Sequence, residues 1–324
     1  MTTPERSPLP QQPPGELLVA DIGGSYIRLA RWRAGQGCEL LASLPTPAGD
    51  WAAFCAALEG AVRRAGPGAA ALSIAIAGVV SPQTGHVAAA NLPCLASRPL
   101  ARTLAERLAM PVAVTNDAHC AALAEAHAGA GAGHGVVFCA VLGTGVGGGL
   151  VVDGRLVRGA GGLAGEWGHG PIVNEALLDT GDGPPVRLPR FPCGCGQAGC
   201  LDTVGGARGL ERLHAFLHPA LPAAPASRAI LDAWRAGEPR AGATVRAYLA
   251  LVSGPLALVV NLTGASAVPV CGGLGRCPEL VAALDAAVRR QILRASDGPL
   301  VVPGLLGEQA GLVGAAHAFA AGPA

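Results

Sequence analysis

Three cysteines within eight residues impose the strongest constraint on how this chain folds. Cys193, Cys195 and Cys200 are separated by Gly, Gln and Ala, and His169 lies upstream in GEWGHG. Three thiolates and one imidazole form a closed tetrahedral ligand set for structural zinc, with no open position for catalysis. The spacing therefore predicts a zinc site, and it marks the stretch from Gly161 to Asp202 as the part that organises the chain.

Buried thiols are the alternative explanation for these cysteines. Cysteines inside proteins often act as small hydrophobic residues, and the chain has ten. Seven are scattered singly in apolar surroundings, and we assign those to the core. The three clustered thiols are flanked by glycines, which give a buried thiol little to pack against. A disulfide framework is not expected, because the chain is long and shows no secretory signal.

Two carboxylates lie in the same stretch. Glu166 comes three residues before His169, and Asp202 comes two residues after Cys200. A metal bound by these neighbours fixes the direction of both acids. The pattern predicts a substrate site that is held rigid by metal.

Length and composition predict two domains, or one large α/β unit, with a sizeable core. The chain has 324 residues, of which 51% are hydrophobic and 14% charged. The net charge is +1 and the basic residues do not cluster, so nucleic acid is not an expected partner. All 23 basic residues are Arg, which excludes a lysine-based phosphate loop and a lysine Schiff base. No apolar run reaches the length of a membrane span without Gly, Pro or charge, so no membrane partner is expected.

The N-terminal residues 1–15 differ from the rest of the chain in composition. They are rich in proline and polar residues and lack the apolar segment of a secretory signal. We expect a disordered tail and a cytoplasmic location.

Three short apolar runs with β character each end in a glycine-rich turn. The turns are Asp21-Ile22-Gly23-Gly24-Ser25, Gly143-Thr144-Gly145-Val146-Gly147-Gly148-Gly149 and Gly272-Gly273-Leu274-Gly275. A second strand follows each of the first two turns, whereas a helix follows in the dinucleotide-binding fingerprint. Turns of this kind can present backbone amides to a phosphate, and the carboxylate of Asp21 can bind Mg²⁺. One glycine hairpin is common, but the pair suggests a phosphate held from two sides.

Another carboxylate follows an apolar strand. Val112–Val114 leads into Thr115, Asn116 and Asp117, just before a helix predicted from Ala118 to Ala128. In an open α/β sheet the carboxyl end of a strand borders the usual ligand crevice. Asp117 is therefore a candidate catalytic residue, and the alternative that it only caps the helix is left open at this point.

Hydrophobic periodicity predicts most of the remaining elements. Helices are expected at Asp50–Arg64, Leu100–Leu108, Gly206–Leu217, Ile230–Arg235, Ala243–Leu262, Pro278–Ile292 and Gly311–Ala320. Strands are expected at Glu16–Ala20, Tyr26–Trp32, Ala70–Ile76, Gly135–Leu142, Leu150–Val152, Val268–Cys271 and Pro299–Val302.

With these residues collected, the chain resembles the ROK family of sugar kinases from Leu17 to Phe319. DIGGS is similar to the family's first phosphate motif, TNDAH to its ENDAN motif, and LGTGVGGG to its second phosphate motif. GEWGH and CGCGQAGCLD resemble the family's zinc and sugar signature in order and spacing. AANLP and FPCGCGQAGC are most similar to the family's bacterial N-acetyl-D-glucosamine kinases.

The resemblance implies a two-domain actin/hexokinase-like (ribonuclease H-like) α/β fold with the active site in the cleft between the domains. A small N-terminal domain is expected at residues 16–117, joined by a C-terminal helix at 304–324. A large domain with a structural zinc site is expected at residues 118–303. We also expect a homodimer.

The resemblance also implies that the chain uses ATP and Mg²⁺ to phosphorylate O6 of N-acetyl-D-glucosamine, with Asp117 as the general base. The implied sugar contacts are Gly78, Asn91, Asn116, Asp117, Glu166, His169 and Asp202. The implied contacts to the ATP phosphates and Mg²⁺ are Asp21, Gly23, Gly24, Ser25, Gly143, Thr144 and Gly145, and those to adenosine are Gly272 and Gly273. The implied Zn²⁺ ligands are His169, Cys193, Cys195 and Cys200.

The predicted identity of the sugar depends on one departure from the family's pattern. Asp202 stands where the family has Glu, so glucose, mannose, fructose and N-acetylmannosamine stay alternative substrates. Small side chains at Ala88, Ala89 and Ala90 predict room for a 2-acetamido group. The family also contains sugar-sensing repressors with an N-terminal helix-turn-helix module, but the residues before Glu16 are too few for that module.

Overall fold

The described residues, 15–89, 91–96, 98–170, 177–178, 185–221, 223, 225–294 and 298–320, form two five-stranded sheets with surrounding helices in this computed structural model. The predicted tail, residues 1–15, lies outside them except for Gly15. The mixed α/β fold class predicted from the sequence is confirmed.

The described residues form fourteen strands and nine α-helices. The strands are β1 (Glu16–Ile22), β2 (Tyr26–Arg33), β3 (Gly37–Pro45), β4 (Leu72–Ile76), β5 (Val79–Val80), β6 (Val87–Ala88), β7 (Val112–Asn116), β8 (Val136–Leu142), β9 (Val146–Val152), β10 (Arg155–Val157), β11 (Leu177–Leu178), β12 (Val186–Arg187), β13 (Val268–Cys271) and β14 (Val301–Pro303). The helices are α1 (Trp51–Arg64), α2 (Leu100–Leu108), α3 (Asp117–Ala128), α4 (Asp202–Gly205), α5 (Ala207–Leu217), α6 (Ser227–Arg235), α7 (Pro239–Thr263), α8 (Pro278–Arg289) and α9 (Ala310–Ala320).

The chain folds as two units. The first unit holds the described residues up to Gly135, Gly149–Ala164, and those from Leu306 onward. The second unit holds Val136–Gly148 and the described residues of Gly165–Leu305. The first unit therefore includes α3, whereas the sequence placed the domain boundary at residues 117 and 118.

In the sheet of the first unit, the predicted site residues that follow β1, β4 and β7 lie at one edge. Its strand order is β3-β2-β1-β4-β7, with β1 to β3 antiparallel and with β4 and β7 parallel to β1. In this register Ile22 pairs with Ile76, and Ile76 with Asn116. Because parallel strands end at the same edge, the residues that follow β1, β4 and β7 share that edge.

Helices α3 and α9 approach each other to backbone contact in the first unit. A methyl group at Gly314 would lie 1.8 Å from the carbonyl oxygen of Cys120, so only glycine fits there. The buried carboxylate of Glu125 accepts hydrogen bonds from the amides of Ala130 at 2.8 Å and Leu306 at 3.0 Å. These contacts fix the chain's C-terminal return against α3, the helix that begins at Asp117.

The sheet containing the second glycine turn has the strand order β10-β9-β8-β13-β14. Strands β8, β13 and β14 are parallel, and the chain passes from the second unit into the first within β9. The buried carboxylate of Asp285 in α8 accepts the amides of Leu300 and Val301, both at 2.9 Å. This carboxylate thereby fixes α8 to the start of β14.

Helix α7 is the one helix among the described residues that is long and apolar enough to cross a membrane by length and composition. It has 25 residues and contains Pro255. In the second unit it packs against α5, α6 and α8, and most of its apolar window is buried. This packing is typical of a core helix.

A histidine pair in the first unit predicts how its stability depends on pH. The rings of His127 and His317 stack at 4.3 Å, Trp32 packs against His317, and His127 Nε2 bonds the Gly154 carbonyl at 2.9 Å. Burial, with a smaller effect of neighbouring His127, lowers the pKa of His317 to about 4, and burial lowers the pKa of His127.

We expect the folded protein to lose stability between about pH 6.5 and pH 4, because the unfolded chain binds protons there that the folded pair does not. Between pH 7 and pH 5 the free energy of unfolding should fall by about 2 kcal/mol less in His317→Phe than in wild type. Urea unfolding at both pH values measures this difference. His86→Gln, at an exposed histidine, is the control, and an unchanged pH dependence in His317→Phe would contradict the prediction.

Candidate active site and metal centre

The three clustered cysteines and His169 come together in the second unit. Their four ligand atoms all lie within 4.8 Å of one another. Cys193 Sγ is 3.6 Å from His169 Nδ1, and Cys195 Sγ is 3.6 Å from Cys200 Sγ. Two sulfurs bound to one tetrahedral zinc lie about 3.8 Å apart, given Zn–S bonds of about 2.3 Å. The donor set therefore fits a zinc ion in chemistry and in spacing.

The three thiols of the cluster differ in acidity. The amide of Gln197 lowers the pKa of the Cys195 thiol to about 7. Burial raises the pKa of Cys193 to about 12 and raises that of Cys200. Cys193 and Cys200 would therefore lose their protons on binding a metal, as thiol ligands do.

Local backbone turns explain why the cysteines converge. The amide of Cys193 donates to the carbonyl of Gln197 at 2.8 Å, and the amide of Gly196 donates to that of Cys193 at 3.0 Å. Gly196 and Gly199 have φ of +89° and +82°, values that favour glycine. The glycines that flank the thiols thus let the loop close on itself.

The carboxylates predicted beside the metal take two different positions. Glu166 Oε2 lies 3.8 Å from His169 Nε2, the ring nitrogen that faces away from the thiols. Asp202 Oδ1 accepts the amide of Val146 at 2.7 Å, and its Oδ2 lies 3.8 Å from Cys193 Sγ. One carboxylate therefore contacts the cluster's histidine, and the other contacts the second glycine turn.

Three segments of the second unit surround the second glycine turn. Trp167 Nε1 donates to the carbonyl of Gly147 at 2.7 Å. The amide of Ala207 donates to the carbonyl of Gly143 at 2.8 Å. A methyl group at Gly272, where φ is +87°, would lie 2.6 Å from the amide nitrogen of Gly143. The structure therefore brings the two glycine turns of this unit, predicted separately, into direct contact.

Gly273 borders a cavity of 550 Å³ in the second unit. The residues that line it are Ser227, Arg228, Leu231, Asp232, Arg235, Gly273, Leu274, Arg276 and Cys277. Arg235 pairs with Asp232 and lies 3.6 Å from Glu279, so part of this charge is already neutralised. Sequence reasoning missed the α6 residues, although Arg228, Asp232 and Arg235 recur at helical spacing and indicate one polar face.

In the first unit Asp21 forms an ion pair that the sequence analysis did not predict. The Arg28 guanidinium donates to its carboxylate, and Glu308 lies 3.7 Å from the same guanidinium. Burial raises the pKa of Asp21, and the charge of Arg28 partly offsets this effect. The register of the hairpin pairs Asp21 with Arg28, so counting back from the Gly-Gly turn could have found the pair.

Of three other predicted sugar contacts in the first unit, Gly78 and Asn116 are in contact with each other, and Asn91 contacts the first glycine turn. Asn116 Nδ2 donates to the carbonyl of Gly78 at 3.0 Å. A methyl group at Gly78 would lie 2.7 Å from the carbonyl of Ala88, and one at Gly24 would lie 3.0 Å from Asn91 Cβ. The first glycine turn is therefore packed against Asn91, while Ser25 in the same turn is exposed.

Asp117 is an exposed carboxylate at the first position of α3. The helix cap is formed by its neighbour, because Asn116 Oδ1 accepts the amide of His119 at 3.0 Å. Asp117 Oδ1 accepts the amide of Ala118 at 2.9 Å. The alternative that Asp117 is the N-cap is therefore wrong.

A cavity of 430 Å³ in the first unit adjoins Asn116. Its lining is mainly apolar, with residues such as Val80, Pro82 and Val114. The Asn116 side chain already bonds Gly78 and the amide of His119. Because most of its lining is apolar, we do not assign the sugar to this cavity.

The chain is similar to known proteins over most of its length. The model of the ROK family matches residues 18–321. An N-acetylgalactosamine kinase of Shewanella sp. (strain ANA-3) is 35% identical, over 91% of this chain and 94% of that protein. An N-acetyl-D-glucosamine kinase of Pectobacterium atrosepticum is 32% identical, over 91% and 96%. The structure of a ROK family glucokinase from Streptomyces griseus in complex with glucose and AMPPNP matches with a TM-score of 0.75 and 30% identity, over 93% and 98%.

Proposed function

Because this chain belongs to the ROK family and is a sugar kinase, we propose that it transfers the γ-phosphoryl group of ATP to O6 of N-acetyl-D-glucosamine. One observation carries the mechanistic part of the proposal. Asp117 is an exposed carboxylate at the end of β7, and Asn116 rather than Asp117 caps the helix. This position, directly after a parallel strand of the sheet, borders the usual ligand crevice of an α/β fold.

Asp117 acts as the general base. A sugar hydroxyl is a weak nucleophile, and a carboxylate within hydrogen-bonding reach accepts its proton as the oxygen attacks. The bond from O6 to the γ-phosphorus forms, the bond from that phosphorus to the β–γ bridging oxygen breaks, and ADP leaves. Asn116, fixed to the carbonyl of Gly78, holds the strand end at which the base stands.

The nucleotide is held by glycine-turn amides, since the chain has no lysine. Phosphoryl transfer depends on positioning and charge stabilisation, which amides and Mg²⁺ supply. We assign the phosphates to Gly23, Gly24 and Ser25 in the first unit and Gly143, Thr144 and Gly145 in the second. Gly272 and Gly273 take the adenosine, which is supported by the cavity beside Gly273.

Mg²⁺ enters as part of the MgATP substrate. In kinase sites it is bound through one or two carboxylates together with substrate phosphates. Asp21 is a single carboxylate and is already paired with Arg28. It therefore does not form a resident metal site by itself. We assign Asp21 to the metal of the bound nucleotide.

His169, Cys193, Cys195 and Cys200 hold a structural zinc. With a zinc ion bound, these four residues would make the loop rigid and would leave no position for a catalytic ligand. Bound through Nδ1, the imidazole of His169 keeps Nε2–H free to donate to Glu166 or to a sugar hydroxyl. Glu166, His169 and Asp202 Oδ2 are the sugar contacts that we assign to the second unit.

The acetamido group is accommodated in the first unit beside Gly78. The neighbouring residues Ala88 and Ala89 are small, and Asn91 is exposed next to the first glycine turn. Ala90, which the sequence analysis placed in the same pocket, lies outside the described residues. N-acetyl-D-galactosamine is the second candidate substrate, because the 35% identical relative is a kinase of that sugar.

A coupled ADP-release assay tests the substrate. We expect kcat/KM to be highest for N-acetyl-D-glucosamine, because the small side chains of Ala88 and Ala89 leave room for its acetamido group. The panel includes N-acetylgalactosamine, N-acetylmannosamine, glucose, mannose and fructose. Ala88→Val fills the proposed space and should lower kcat/KM for the N-acetyl sugar about tenfold while leaving glucose nearly unchanged. A higher value for glucose in wild type would make this a glucokinase.

A further inference from the structure

The carboxylate of Asp202 joins the metal loop to the second glycine turn. Its Oδ1 accepts the amide of Val146, 56 residues away in sequence, at 2.7 Å. Its own backbone amide donates to the carbonyl of Gly168 at 2.8 Å, within the segment that carries Glu166 and His169. The backbone of Asp202 is therefore fixed on one side while its side chain reaches the turn on the other.

The fit of this carboxylate against the turn leaves no spare space. A methyl group at Gly145 would lie 2.2 Å from Asp202 Oδ1. A methyl group at Gly206 would lie 2.6 Å from the Cα of Gly145. The side chain of Asp202 and the backbone that leads into α5 thus both lie against Gly145, and the absence of a Cβ at Gly145 permits the contact with Asp202.

The bond also determines which amides the turn can offer to a ligand. The amide of Gly143 donates to the carbonyl of Gly145 at 3.0 Å within the turn, and the amide of Val146 donates to Asp202. In the part of the chain that the structure describes, the central amides, those of Thr144 and Gly145, bond no acceptor. The two flanking amides are therefore occupied, and the two central ones keep their hydrogens for an acceptor such as a phosphate oxygen.

We infer that Asp202 is a positioning residue for the phosphate-binding turn, holding Gly143–Val146 in the conformation that receives the nucleotide. This inference rests on the proposed function, and it goes beyond the sugar contact assigned to Oδ2. It also predicts that the length of the side chain matters. A glutamate would place its carboxylate one bond further from the backbone than the carboxylate that now accepts the Val146 amide.

Nucleotide binding without turnover provides the test. The dissociation constant for AMPPNP with Mg²⁺, measured by calorimetry, should rise about tenfold or more in Asp202→Ala, because a hydrogen bond to a charged group is lost from the turn. Asp202→Asn keeps an oxygen acceptor of the same length and should stay within about threefold of wild type. Asp202→Glu should not regain the wild-type affinity for AMPPNP that Asp202→Ala loses. Glu106→Ala, at an exposed carboxylate of α2, is the control.

A second variant keeps the test independent of the metal loop. Gly145→Ala displaces the carboxylate from the turn side and should weaken AMPPNP binding as Asp202→Ala does. The double variant should be no worse than either single one, because both remove the same contact. Zinc content, measured for each variant, should stay at one ion per chain.

The outcomes separate this inference from the proposed function. A rise in KM for ATP larger than the rise in KM for the sugar supports a positioning role. Unchanged AMPPNP affinity in Asp202→Ala and Gly145→Ala, with only the sugar KM raised, would overturn the inference and leave the kinase proposal standing. A wild-type chain that binds no AMPPNP would overturn the proposed function, and this inference with it.

Discussion

Asp117→Asn is expected to lower kcat by about 10² or more, because general-base catalysis contributes about 10² to 10⁴ to such reactions. Asparagine keeps the shape of the side chain and its ability to accept a hydrogen bond, but it does not take up a proton. The KM and the calorimetric dissociation constant for the sugar should therefore change much less than kcat. Steady-state kinetics and sugar binding measured on the same preparation test this.

The chain offers a matched control for this substitution. Asp50 is an exposed carboxylate that caps α1, and asparagine caps a helix as well as aspartate does. Asp50→Asn should leave kcat within about twofold of wild type. Near wild-type turnover in Asp117→Asn would refute the assignment of the base.

Cys195→Ala is expected to remove the metal and to lower the free energy of unfolding by several kcal/mol, because structural zinc binding is coupled to local folding. Cys195 is exposed, so loss of its thiol removes almost no core packing. A large destabilisation at this position can therefore be attributed to the metal. Elemental analysis should find one zinc per wild-type chain and almost none in the variant.

Cys38→Ala provides the comparison for the zinc prediction. Cys38 is half-buried and lies outside the cluster, so its loss should leave the zinc content at one per chain. A wild-type preparation that is free of metal and yet fully stable and active would show that the four residues form no structural zinc site.

Elements defined by local patterns were predicted well from the sequence. Helix α2 and strand β13 have the predicted bounds, and α1 begins one residue after the predicted Asp50, which forms its N-cap. These elements depend on hydrophobic periodicity and on cap residues, which act over a few residues. Strand β3 was not predicted, because half its residues are exposed or polar and its position depends on pairing with β2.

Strand β9 shows why glycine misleads a local prediction. The sequence analysis placed Gly147, Gly148 and Gly149 in the turn and started the strand at Leu150, but the strand starts at Val146. A methyl group at Gly148 would lie 2.9 Å from both Phe138 and Trp167, and one at Gly149 would lie 2.6 Å from Ala122. The two glycines allow close packing within the strand, and only the tertiary structure shows this.

The candidate site also has features that the local sequence predicts and features that only the fold shows. The cysteine spacing predicted which four residues converge, because the ligands lie on short loops and the chemistry limits the choices. The bond between Asp202 and the amide of Val146 could not be predicted, since it joins segments 56 residues apart through a backbone group that any residue carries. A contact between a side chain and a distant backbone group can be found only from the three-dimensional structure.

The most direct test of the central claim is the identity of the product. The purified chain, incubated with MgATP and N-acetyl-D-glucosamine, should release one ADP per sugar consumed and give a sugar whose carbon-6 resonance shows coupling to phosphorus. Asp117→Asn, run in parallel, should give almost none of it. A wild-type preparation that binds AMPPNP but phosphorylates none of the sugars in the panel would contradict the account, as would a product phosphorylated at another position.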